Sequence, residues 1–334
     1  MKKKIQAIPY RIVNGRVLYF VGKRPDSTYL QPITGCVGWE IPKETLVEAL
    51  RRELEEEIGV KHFCNLINPK FSYTFKTARI KFSNGRPVRE HVFGVEVSDQ
   101  KITLDKNEFA SFEFVSYDKA LAQYSFPNQK HALALVNATI SSHSYPKIFT
   151  ISGPGASGKE TIIEEILGKI KNIERAKTCN TRAVRKNEKK PKKGRIFLTE
   201  EKFKLLERSG DLIESNFFNG HWYGTPWSEI ERINEKGRDV IIEVDLNGVK
   251  SLKSKFTNVI STFIETSLAD LKKRFILRAQ DSPKVIEARL RIAQREIAES
   301  KVCDHIVKNK QGELEKTVDA VVKIIKQNRR DNEK

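Results

Sequence analysis

The stretch that decides the fold of the C-terminal half is Ile148-Phe-Thr-Ile-Ser-Gly153-Pro-Gly-Ala-Ser-Gly158-Lys159-Glu-Thr161. Residues 148–151 form a short apolar run typical of a buried strand, and residues 159–171 have a helical pattern. The glycines between them let backbone N–H groups close around phosphate oxygens at the helix N-terminus, where the helix dipole favours an anion. Lys159 would reach the β- and γ-phosphates of a nucleotide. The segment therefore predicts a strand–loop–helix unit that binds a nucleotide.

The phosphate-binding part of this segment consists of three glycines, one lysine and one hydroxyl. A nucleotide such as ATP would be held by Gly153, Gly155, Gly158, Lys159 and Thr161. The residue after the lysine is usually Ser, Thr or Gly in such loops, whereas this chain has Glu160 there. Thr161 must therefore supply the hydroxyl that contacts Mg²⁺.

Apolar strands and helical stretches alternate after this loop, which argues for a parallel sheet flanked by helices. Strands are expected at residues 148–151, 239–244 and 258–264. The polar segment 141–146, which ends in proline, separates this half from a β-rich N-terminal half. We therefore expect two domains, at residues 1–143 and 147–330.

The N-terminal half has one strong helical pattern, from Thr45 to Ile58. Glu53, Glu56 and Glu57 are spaced i, i+3 and i+4, so they share one face of that helix. Like charges at these spacings oppose helix formation by roughly 0.2–0.5 kcal/mol per pair. Mg²⁺ would reverse this penalty, because it prefers carboxylate oxygens and keeps waters that phosphates can share. The pattern indicates a divalent-metal site, and a solvated acidic helix surface is the ordinary alternative.

Residues 38–60 place this acidic pattern in a longer motif. They fit G-x5-E-x7-R-E-U-x-E-E-x-G-U, with U aliphatic, at every position, and so resemble the box of Nudix hydrolases. The resemblance covers about residues 4–140 and implies an α/β fold with a mixed sheet. It implies that Glu53, Glu56 and Glu57 ligate Mg²⁺, supported by an ion pair between Arg52 and Glu44. The implied reaction is attack of a metal-activated water on a diphosphate linkage, with Glu53 and Glu57 as catalytic residues.

Two further residues of this half are candidates for the same reaction. Glu108 lies where related nucleoside triphosphate pyrophosphohydrolases carry a glutamate before the next strand, so it is a candidate general base. Arg24 is a candidate phosphate contact. For both residues, a solvated surface position is the alternative. The motif leaves the substrate open between a nucleoside triphosphate and another diphosphate-linked nucleoside compound.

In the C-terminal half, three segments besides the glycine loop carry a recognisable pattern. They are Thr181-Arg-Ala-Val-Arg185, Glu214 followed by Gly220-His-Trp-Tyr-Gly-Thr-Pro226, and Asp239-Val-Ile-Ile-Glu-Val-Asp245-Leu-Asn-Gly248. With them, the chain from Lys147 to about Ile325 resembles guanylate kinase. The resemblance implies a parallel-sheet kinase with a helical lid that transfers the γ-phosphoryl group of ATP to GMP or dGMP. The GMP-binding residues it implies are Thr178, Arg182, Arg185, Glu214, Tyr223 and Glu243.

The chemistry of guanine agrees with these assignments, because its N1–H and N2–H₂ groups are donors that the carboxylates of Glu214 and Glu243 can accept. The departures from the family pattern lie close together. Arg195 stands near the place of the family's tyrosine on the GMP phosphate, Val184 replaces a proline, and Asn187 replaces a glycine. They leave strict specificity for GMP open.

The remaining roles implied by the resemblance concern the donor side. Asp245 would help to place Mg²⁺ and its waters. Arg278 and Arg289 would close over the transferring phosphoryl group, beside Lys159, where charge neutralisation does most of the catalysis. Asn309 would contact adenine.

Together, these observations predict a bifunctional enzyme of nucleotide metabolism with Mg²⁺ in both domains and ATP as phosphoryl donor. One alternative is an active Nudix hydrolase joined to a guanylate-kinase-like binding module. Another is a kinase of the same fold that acts on a phosphorylated sugar. The loop glycines and Lys159 argue against the first alternative, and Glu214 with Glu243 argues against the second.

Charge and composition set the remaining limits. The net charge of +18 favours polyanionic partners, and nucleotides satisfy it, so nucleic acid is not expected as a partner. No run approaches 18 apolar residues, so no membrane partner is expected. The four scattered cysteines indicate neither a disulfide framework nor a zinc site, which favours the cytoplasm. The oligomeric state stays open between a monomer and a homodimer.

Overall fold

The computed structural model describes residues 2–25, 28–38, 41, 43–75, 87–97, 100–142, 145–184, 194–218, 220–277 and 282–330. The chain divides into two compact units, Met1–Tyr145 and Pro146–Lys334. Within the described ranges, no helix has the length and apolar character needed to span a bilayer.

The N-terminal unit is built on a mixed sheet. Its strands are β1 (Lys2–Val13), β2 (Arg16–Lys23), β3 (Leu30–Gln31), β4 (Ile33–Cys36), β5 (Leu66–Ile67), β6 (Ser72–Phe75), β7 (Val88–Glu96) and β8 (Ser111–Val115). Its helices are α1 (Leu46–Ile58), α2 (Tyr117–Gln123) and α3 (Pro127–Ser141). Strand β1 runs parallel to β7 and antiparallel to β2 and β4, so the mixed sheet is confirmed.

Different helices cover the two faces of this sheet. Successive residues of a strand point to opposite sides, so neighbouring residues of β1 enter different cores. Ile5 and Ala7 of β1 pack in one core with Leu50 of α1. Ile8 of β1 packs in a second core with Leu133 of α3. The carboxylate helix α1 is thereby fixed against one face.

Local signals set both ends of α1. The hydroxyl of Thr45 accepts the Glu48 N–H at 3.2 Å, and the Glu48 carboxylate accepts the Thr45 N–H at 2.7 Å. At the other end, Gly59 adopts the left-handed conformation with φ 69°, and its N–H donates to the Glu55 carbonyl. The register of the glutamates along the helix follows from these two ends.

The C-terminal unit contains two sheets. Its strands are β9 (Ile148–Ser152), β10 (Ile173–Arg175), β11 (Thr178–Asn180), β12 (Arg195–Phe197), β13 (Leu212–Phe218), β14 (His221–Pro226), β15 (Asp239–Glu243), β16 (Val259–Glu265) and β17 (His305–Lys308). Its helices are α4 (Lys159–Lys169), α5 (Glu200–Arg208), α6 (Trp227–Asn234), α7 (Leu246–Lys255), α8 (Leu268–Leu277), α9 (Pro283–Ala298) and α10 (Leu314–Arg330), with a short 3-10 turn at Ser300–Val302.

The larger sheet is parallel, in the order β10-β15-β9-β16-β17, as the alternation of strands and helices predicts. Ile162 and Ile166 of α4 and Val321 of α10 pack in one core with Phe149 and Ile151 of β9. Ligands of such sheets bind beyond the carboxyl ends of the strands. The loop that follows β9 lies at that edge.

The second sheet has the order β12-β11-β14-β13 and is called the small sheet below. Strand β11 is parallel to β12 and antiparallel to β14, and β13 pairs antiparallel with β14. One of its faces carries Cys179, which packs with Phe203 of α5. The opposite face carries three of the six residues predicted to bind GMP, which are Thr178, Glu214 and Tyr223.

Candidate active sites

The three glutamates of α1 differ in exposure. Glu53 and Glu57 are buried, with 9% and 4% of their surface exposed, whereas Glu56 is exposed. Arg52 joins two of them, since its Nη1 lies 2.9 Å from Glu53 Oε1 and 3.0 Å from Glu56 Oε2. Its Nε donates to Glu44 Oε1 at 2.9 Å, which is the ion pair expected from the motif. Glu53, Glu56 and Glu57 are called the glutamate row below. Arg52 therefore holds two members of this row in place from one side.

A glycine of the neighbouring strand makes room for Glu53. A Cβ atom on Gly35 of β4 would lie 1.9 Å from Glu53 Cδ, so a larger residue there would displace the carboxylate. Burial raises the pKa of Glu53, and the Arg52 guanidinium opposes this rise. The strand and the helix meet at this pair.

Glu57 is the most perturbed carboxyl of this site. Its Oε2 is buried and has no hydrogen-bond partner among the described residues. Burial raises the pKa of Glu57 to about 9, and the charges of Glu53 and Glu108 add to the rise, while Arg24 and Lys4 oppose it. Arg24 and Glu108 form an ion pair with each other. The structure thus brings both outlying candidates into the electrostatic environment of Glu57.

These residues suit a hard divalent cation in their chemistry. Carboxylate oxygens are the ligands that Mg²⁺ prefers, and the unpartnered buried Oε2 of Glu57 is an oxygen that such an ion would satisfy. Among the described residues, no group of three or more His, Cys, Asp or Glu side chains is already arranged around a metal position. The Arg52 contacts to Glu53 and Glu56 would have to loosen for the row to converge.

The phosphate loop of the C-terminal unit has the backbone that its glycines predict. Gly153 and Gly158 have φ of 142° and 92°, and Ala156 also lies in the left-handed region at 65°. Lys159 Nζ donates to the Gly153 carbonyl at 2.7 Å and to the Pro154 carbonyl at 2.9 Å. The lysine thus lies across its own loop, where phosphate oxygens would compete for its ammonium group.

Asn309 supports this loop from behind. It is buried, and its Nδ2 donates to the Ser157 carbonyl at 2.7 Å, while its Oδ1 accepts from Thr317 at 3.2 Å. Arg274 of α8 donates to the Ala156 carbonyl at 3.2 Å and to the Asn309 carbonyl at 3.2 Å. The Asn309 side chain is therefore engaged by the loop, while its residue lines the cavity described next.

A cavity of about 420 Å³ opens beside the loop. Its lining comes from the end of β16, from α8 and α9, and from the end of β17, and includes Thr266, Gln294, Ile297 and Asn309. Its walls combine apolar and hydrogen-bonding groups, which is what the adenine ring of a donor nucleotide requires. Thr161 lies exposed in the first turn of α4.

The register of the small sheet brings predicted acceptor residues to one face. Thr178 pairs with Arg195, Tyr223 pairs with Asn216, and Glu214 pairs with Thr225. Tyr223 also pairs with Asn180, two residues after Thr178. Paired residues and residues two apart in a strand point to the same side. The four predicted or substituted positions on this face are Thr178, Arg195, Glu214 and Tyr223.

Glu214 is a carboxylic acid on this face, and its pKa is shifted by its surroundings. It accepts a hydrogen bond of 2.7 Å from the Thr225 hydroxyl. Burial raises the pKa of Glu214 to about 7, the Thr225 hydrogen bond opposes the rise, and the charge of Asp245 adds to it. Asp245 caps α7 by accepting the Gly248 N–H at 2.7 Å, and its other oxygen accepts from Asn216 Nδ2 at 2.7 Å. Both Asp245 oxygens thus already accept hydrogen bonds from the protein.

Glu243 has a different environment from Glu214. Its carboxylate lies 3.8 Å from Lys159 Nζ, 3.4 Å from Arg175 Nη2 and 3.6 Å from Arg195 Nη2. These four residues are called the Glu243 cluster below. These three contacts are with cations, which balance the charge of Glu243 in the free protein.

Of the four arginines of the C-terminal unit predicted to contact substrate, the structure describes Arg182 and Arg289. Arg182 is buried, with its guanidinium 5.1 Å from the ring centre of Phe197 and its Nη1 bonded to the Ala183 carbonyl. Arg289 of α9 lies with its guanidinium 5.5 Å from the ring centre of Phe275. Arg185 and Arg278 lie outside the described residues, as does Asn187.

Some residues of these sites were not predicted, because no sequence motif gives them a role in binding. Arg175 lies at the end of a three-residue strand, and Asn216 and Thr225 reach the Glu214 site only through strand pairing. Arg175 did carry one signal, which is a charged residue following the apolar Ile173 at alternate spacing, where a buried side chain is expected. Arg274 had none.

Comparison with known proteins agrees with both halves. The model of the guanylate kinase family matches residues 145–328, and that of the NUDIX domain matches residues 14–136. Guanylate kinase of Thermotoga maritima is 33% identical over 184 residues, covering 55% of this chain and 87% of that protein. Guanylate kinase of Prochlorococcus marinus subsp. pastoris is 35% identical over 181 residues, covering 54% and 97%. A crystal structure of guanylate kinase from Anaplasma phagocytophilum is 26% identical, covers 56% of this chain and 87% of that chain, and gives a TM-score of 0.46.

The parallel sheet, the phosphate loop and the small sheet define a nucleotide kinase, and the N-terminal unit adds a hydrolase-type α/β domain. The chain belongs to the guanylate kinase family and carries a NUDIX domain before its kinase domain. Both are families of enzymes, so the kinase half phosphorylates a nucleotide and the NUDIX half is a hydrolase.

Proposed function

We propose that the kinase domain transfers the γ-phosphoryl group of ATP to GMP or dGMP. The observation that carries this proposal is the shared face of Thr178, Glu214 and Tyr223 in the small sheet, within the same unit as the Lys159 loop. Guanine presents N1–H and N2–H₂ donors to the Glu214 carboxylate, whereas adenine would present an acceptor at N1. An ionised Glu214 therefore favours guanine over adenine.

In the transfer, an oxygen of the acceptor phosphate attacks the γ-phosphorus and ADP leaves. Lys159 leaves the Gly153 and Pro154 carbonyls and contacts the donor phosphates. Arg182, Arg185 and Tyr223 hold the acceptor phosphate, and Arg278 and Arg289 neutralise charge on the transferring group. Glu243 balances the cations around it in the free protein.

The donor side of the proposal uses the loop and the adjoining cavity. Gly153, Gly155 and Gly158 supply backbone N–H groups to the phosphates, and the adenine occupies the cavity that Asn309 lines. When Mg²⁺ is bound, it neutralises charge on the phosphates. Thr161 and Asp245 are the residues that would hold it or its waters.

The test is GDP formation from GMP and MgATP by the purified chain, measured by chromatography, with AMP, CMP and UMP as competing acceptors. Lys159→Ala should lower the rate at least about 100-fold. Lys169→Ala is the matched control, because Lys169 lies at the other end of α4 and pairs with Asp319 at the surface. GDP formation that survives Lys159→Ala, or a faster reaction with AMP, would overturn the proposal. No product with any nucleotide acceptor would favour the binding-module alternative.

For the N-terminal domain, we propose Mg²⁺-dependent hydrolysis of a nucleoside triphosphate or another diphosphate-linked nucleoside compound. The supporting observation is the buried Glu53 and Glu57 pair on α1 with Arg52 and Glu44 beside it. Glu53, Glu56 and Glu57 would hold Mg²⁺, which when bound supplies a Lewis acid and an activated water. Glu108, released from Arg24, would accept a proton from the attacking water.

This second proposal is tested with nucleoside triphosphates, a nucleoside diphosphate sugar and a dinucleoside polyphosphate as substrates. Mg²⁺-dependent cleavage of at least one class should stop in Glu57→Gln and continue in Glu55→Gln, which changes an exposed glutamate of the same helix. Cleavage that ignores Mg²⁺ or survives Glu57→Gln would reject the assignment.

A further inference from the structure

Arg175 is a buried arginine whose hydrogen bonds are incomplete. It ends β10, has 9% of its surface exposed, and reaches Glu243 through Nη2 at 3.4 Å. Its Nε and Nη1 are buried without a hydrogen-bond partner in the part of the chain that the structure describes. A buried donor left unsatisfied costs about 1–3 kcal/mol, and more when the group is charged. These N–H groups are therefore suited to a ligand rich in acceptors.

The charge around Arg175 also favours an anion. In the Glu243 cluster, the single carboxylate of Glu243 is shared by Lys159, Arg175 and Arg195. These four side chains carry three positive charges and one negative charge, and the carboxylate of Glu296 on α9 adds one negative charge near Lys159, so the surroundings stay net positive. Two guanidinium groups facing one carboxylate also present the planar, forked donors that match phosphate oxygens.

The backbone at Gly194 leaves room for the guanidinium of Arg175. Gly194 has φ 97°, and a Cβ atom there would lie 2.2 Å from Arg175 Nε. The Gly194 carbonyl accepts the Thr178 N–H at 3.1 Å, which fixes the turn before β12. Because Arg195 then pairs with Thr178, the turn joins Arg175 to the face of the small sheet that carries Thr178 and Tyr223.

We propose that Arg175 and Arg195 together bind the phosphate of the acceptor nucleotide, with Glu243 balancing their charge in the free protein. The ligand class is a phosphomonoester dianion. The acceptor phosphate is favoured over the donor γ-phosphate because Arg195 shares its sheet face with the acceptor residues Thr178, Glu214 and Tyr223. The proposal rests on the proposed kinase function, in which a nucleoside monophosphate is the acceptor.

Binding measured by calorimetry separates this role from a structural one. Arg175→Gln should weaken GMP binding roughly 10- to 100-fold, the loss expected for one charged hydrogen-bonded contact. Binding of guanosine, which has no phosphate, and of a non-hydrolysable ATP analogue should change less than about threefold. Arg238→Gln is the matched control, since Arg238 is an exposed arginine that pairs with Glu174 beside Arg175. Arg175→Ala should regain GMP affinity in millimolar guanidinium.

Five results would decide the matter. Equal losses for GMP and guanosine would show a structural role and overturn the proposal. A loss for the ATP analogue without a loss for GMP would assign the pair to the donor phosphate and overturn it as well. If the unaltered protein binds no GMP, the kinase proposal fails. The arginine pair is then tested by the thermal shift that inorganic phosphate produces: loss of this shift in Arg175→Gln would support the pair, and an unchanged shift would reject it.

Discussion

The hydroxyl of Thr225 donates a hydrogen bond of 2.7 Å to the carboxylate of Glu214, the residue that it pairs with across β13 and β14. Burial nevertheless raises the pKa of Glu214 to about 7 from its ordinary 4.5. Guanine recognition by accepted hydrogen bonds requires the ionised form. We therefore predict that kcat/KM for GMP rises about tenfold per pH unit below pH 7 and levels off above it.

The measurement is the pH profile of kcat/KM for GMP at saturating ATP, with the profile for ATP at saturating GMP as control. Glu214→Gln should lose the step near pH 7 along with most GMP affinity. The raised pKa also means that the folded protein binds more protons than the unfolded chain between pH 4.5 and 7. Stability therefore falls as the pH rises through this window, and the fall should be smaller in Glu214→Gln. A GMP profile that is flat from pH 6 to 8 would remove Glu214 from the base pocket.

Asn309 supports the phosphate loop through its amide, which predicts an effect on the donor nucleotide alone. Asn309→Ala removes the donor to the Ser157 carbonyl and the acceptor for Thr317. We expect a loss of about 1–3 kcal/mol in stability and an increase of about tenfold in KM for ATP, with KM for GMP unchanged.

The control for this variant is Asn328→Ala, because Asn328 also donates its amide to a backbone carbonyl, that of Ile324 in α10. Steady-state kinetics with each substrate varied in turn will separate a specific loss of loop support from a general loss of stability. A similar increase in KM for ATP in both variants would mean that general loosening of the domain, and not support of the loop, is responsible.

Gly35 predicts a steric test of the hydrolase site. Gly35→Ala places a Cβ atom 1.9 Å from Glu53 Cδ, so the carboxylate must move and its contact with Arg52 must stretch. We expect a loss of about 1–3 kcal/mol in stability and a fall of about 100-fold in hydrolysis, because a displacement near 1 Å has such effects on a catalytic group. Kinase activity should not change.

Gly168→Ala is the corresponding control. Gly168 lies inside α4, and an added Cβ atom there meets nothing within 4 Å. This substitution should raise stability by about 0.5–1 kcal/mol through helix propensity and leave hydrolysis unchanged. Thermal unfolding together with pyrophosphate release measures both outcomes. Full hydrolase activity in Gly35→Ala would mean that Glu53 can occupy its place without the gap.

Sequence predicted most successfully where a short segment determines its own geometry. Thr45, Glu48 and Gly59 set the ends of α1, and the glycines around Lys159 set the phosphate loop. The small sheet could not be predicted, because β11 and β12 have three residues each and β11 also pairs with β14, which lies far along the chain. The Glu243 cluster was missed for the same reason: β10 and β15 are neighbours only after the chain has crossed over.

Glu57 leads to a prediction in which activity and stability move in opposite directions. Its Oε2 is buried without a partner in the described chain, and burial raises its pKa to about 9. Between its ordinary pKa of 4.5 and pH 9, the folded protein holds a proton that the unfolded chain releases. Folding is therefore opposed by this group increasingly as the pH rises through that window.

Glu57→Gln keeps the shape and removes the ionisation. At pH 8 without metal, we expect this variant to be about 1–3 kcal/mol more stable than the unaltered protein, and near pH 4 the difference should vanish. Its hydrolase activity should be lost at every pH, while GDP formation is retained. Denaturant unfolding of the N-terminal transition at the two pH values gives the stability difference, and Glu55→Gln should show none because Glu55 is exposed. An equal gain at both pH values would mean that packing, not ionisation, is responsible, whereas no gain at pH 8 would mean that Glu57 is already paired in solution.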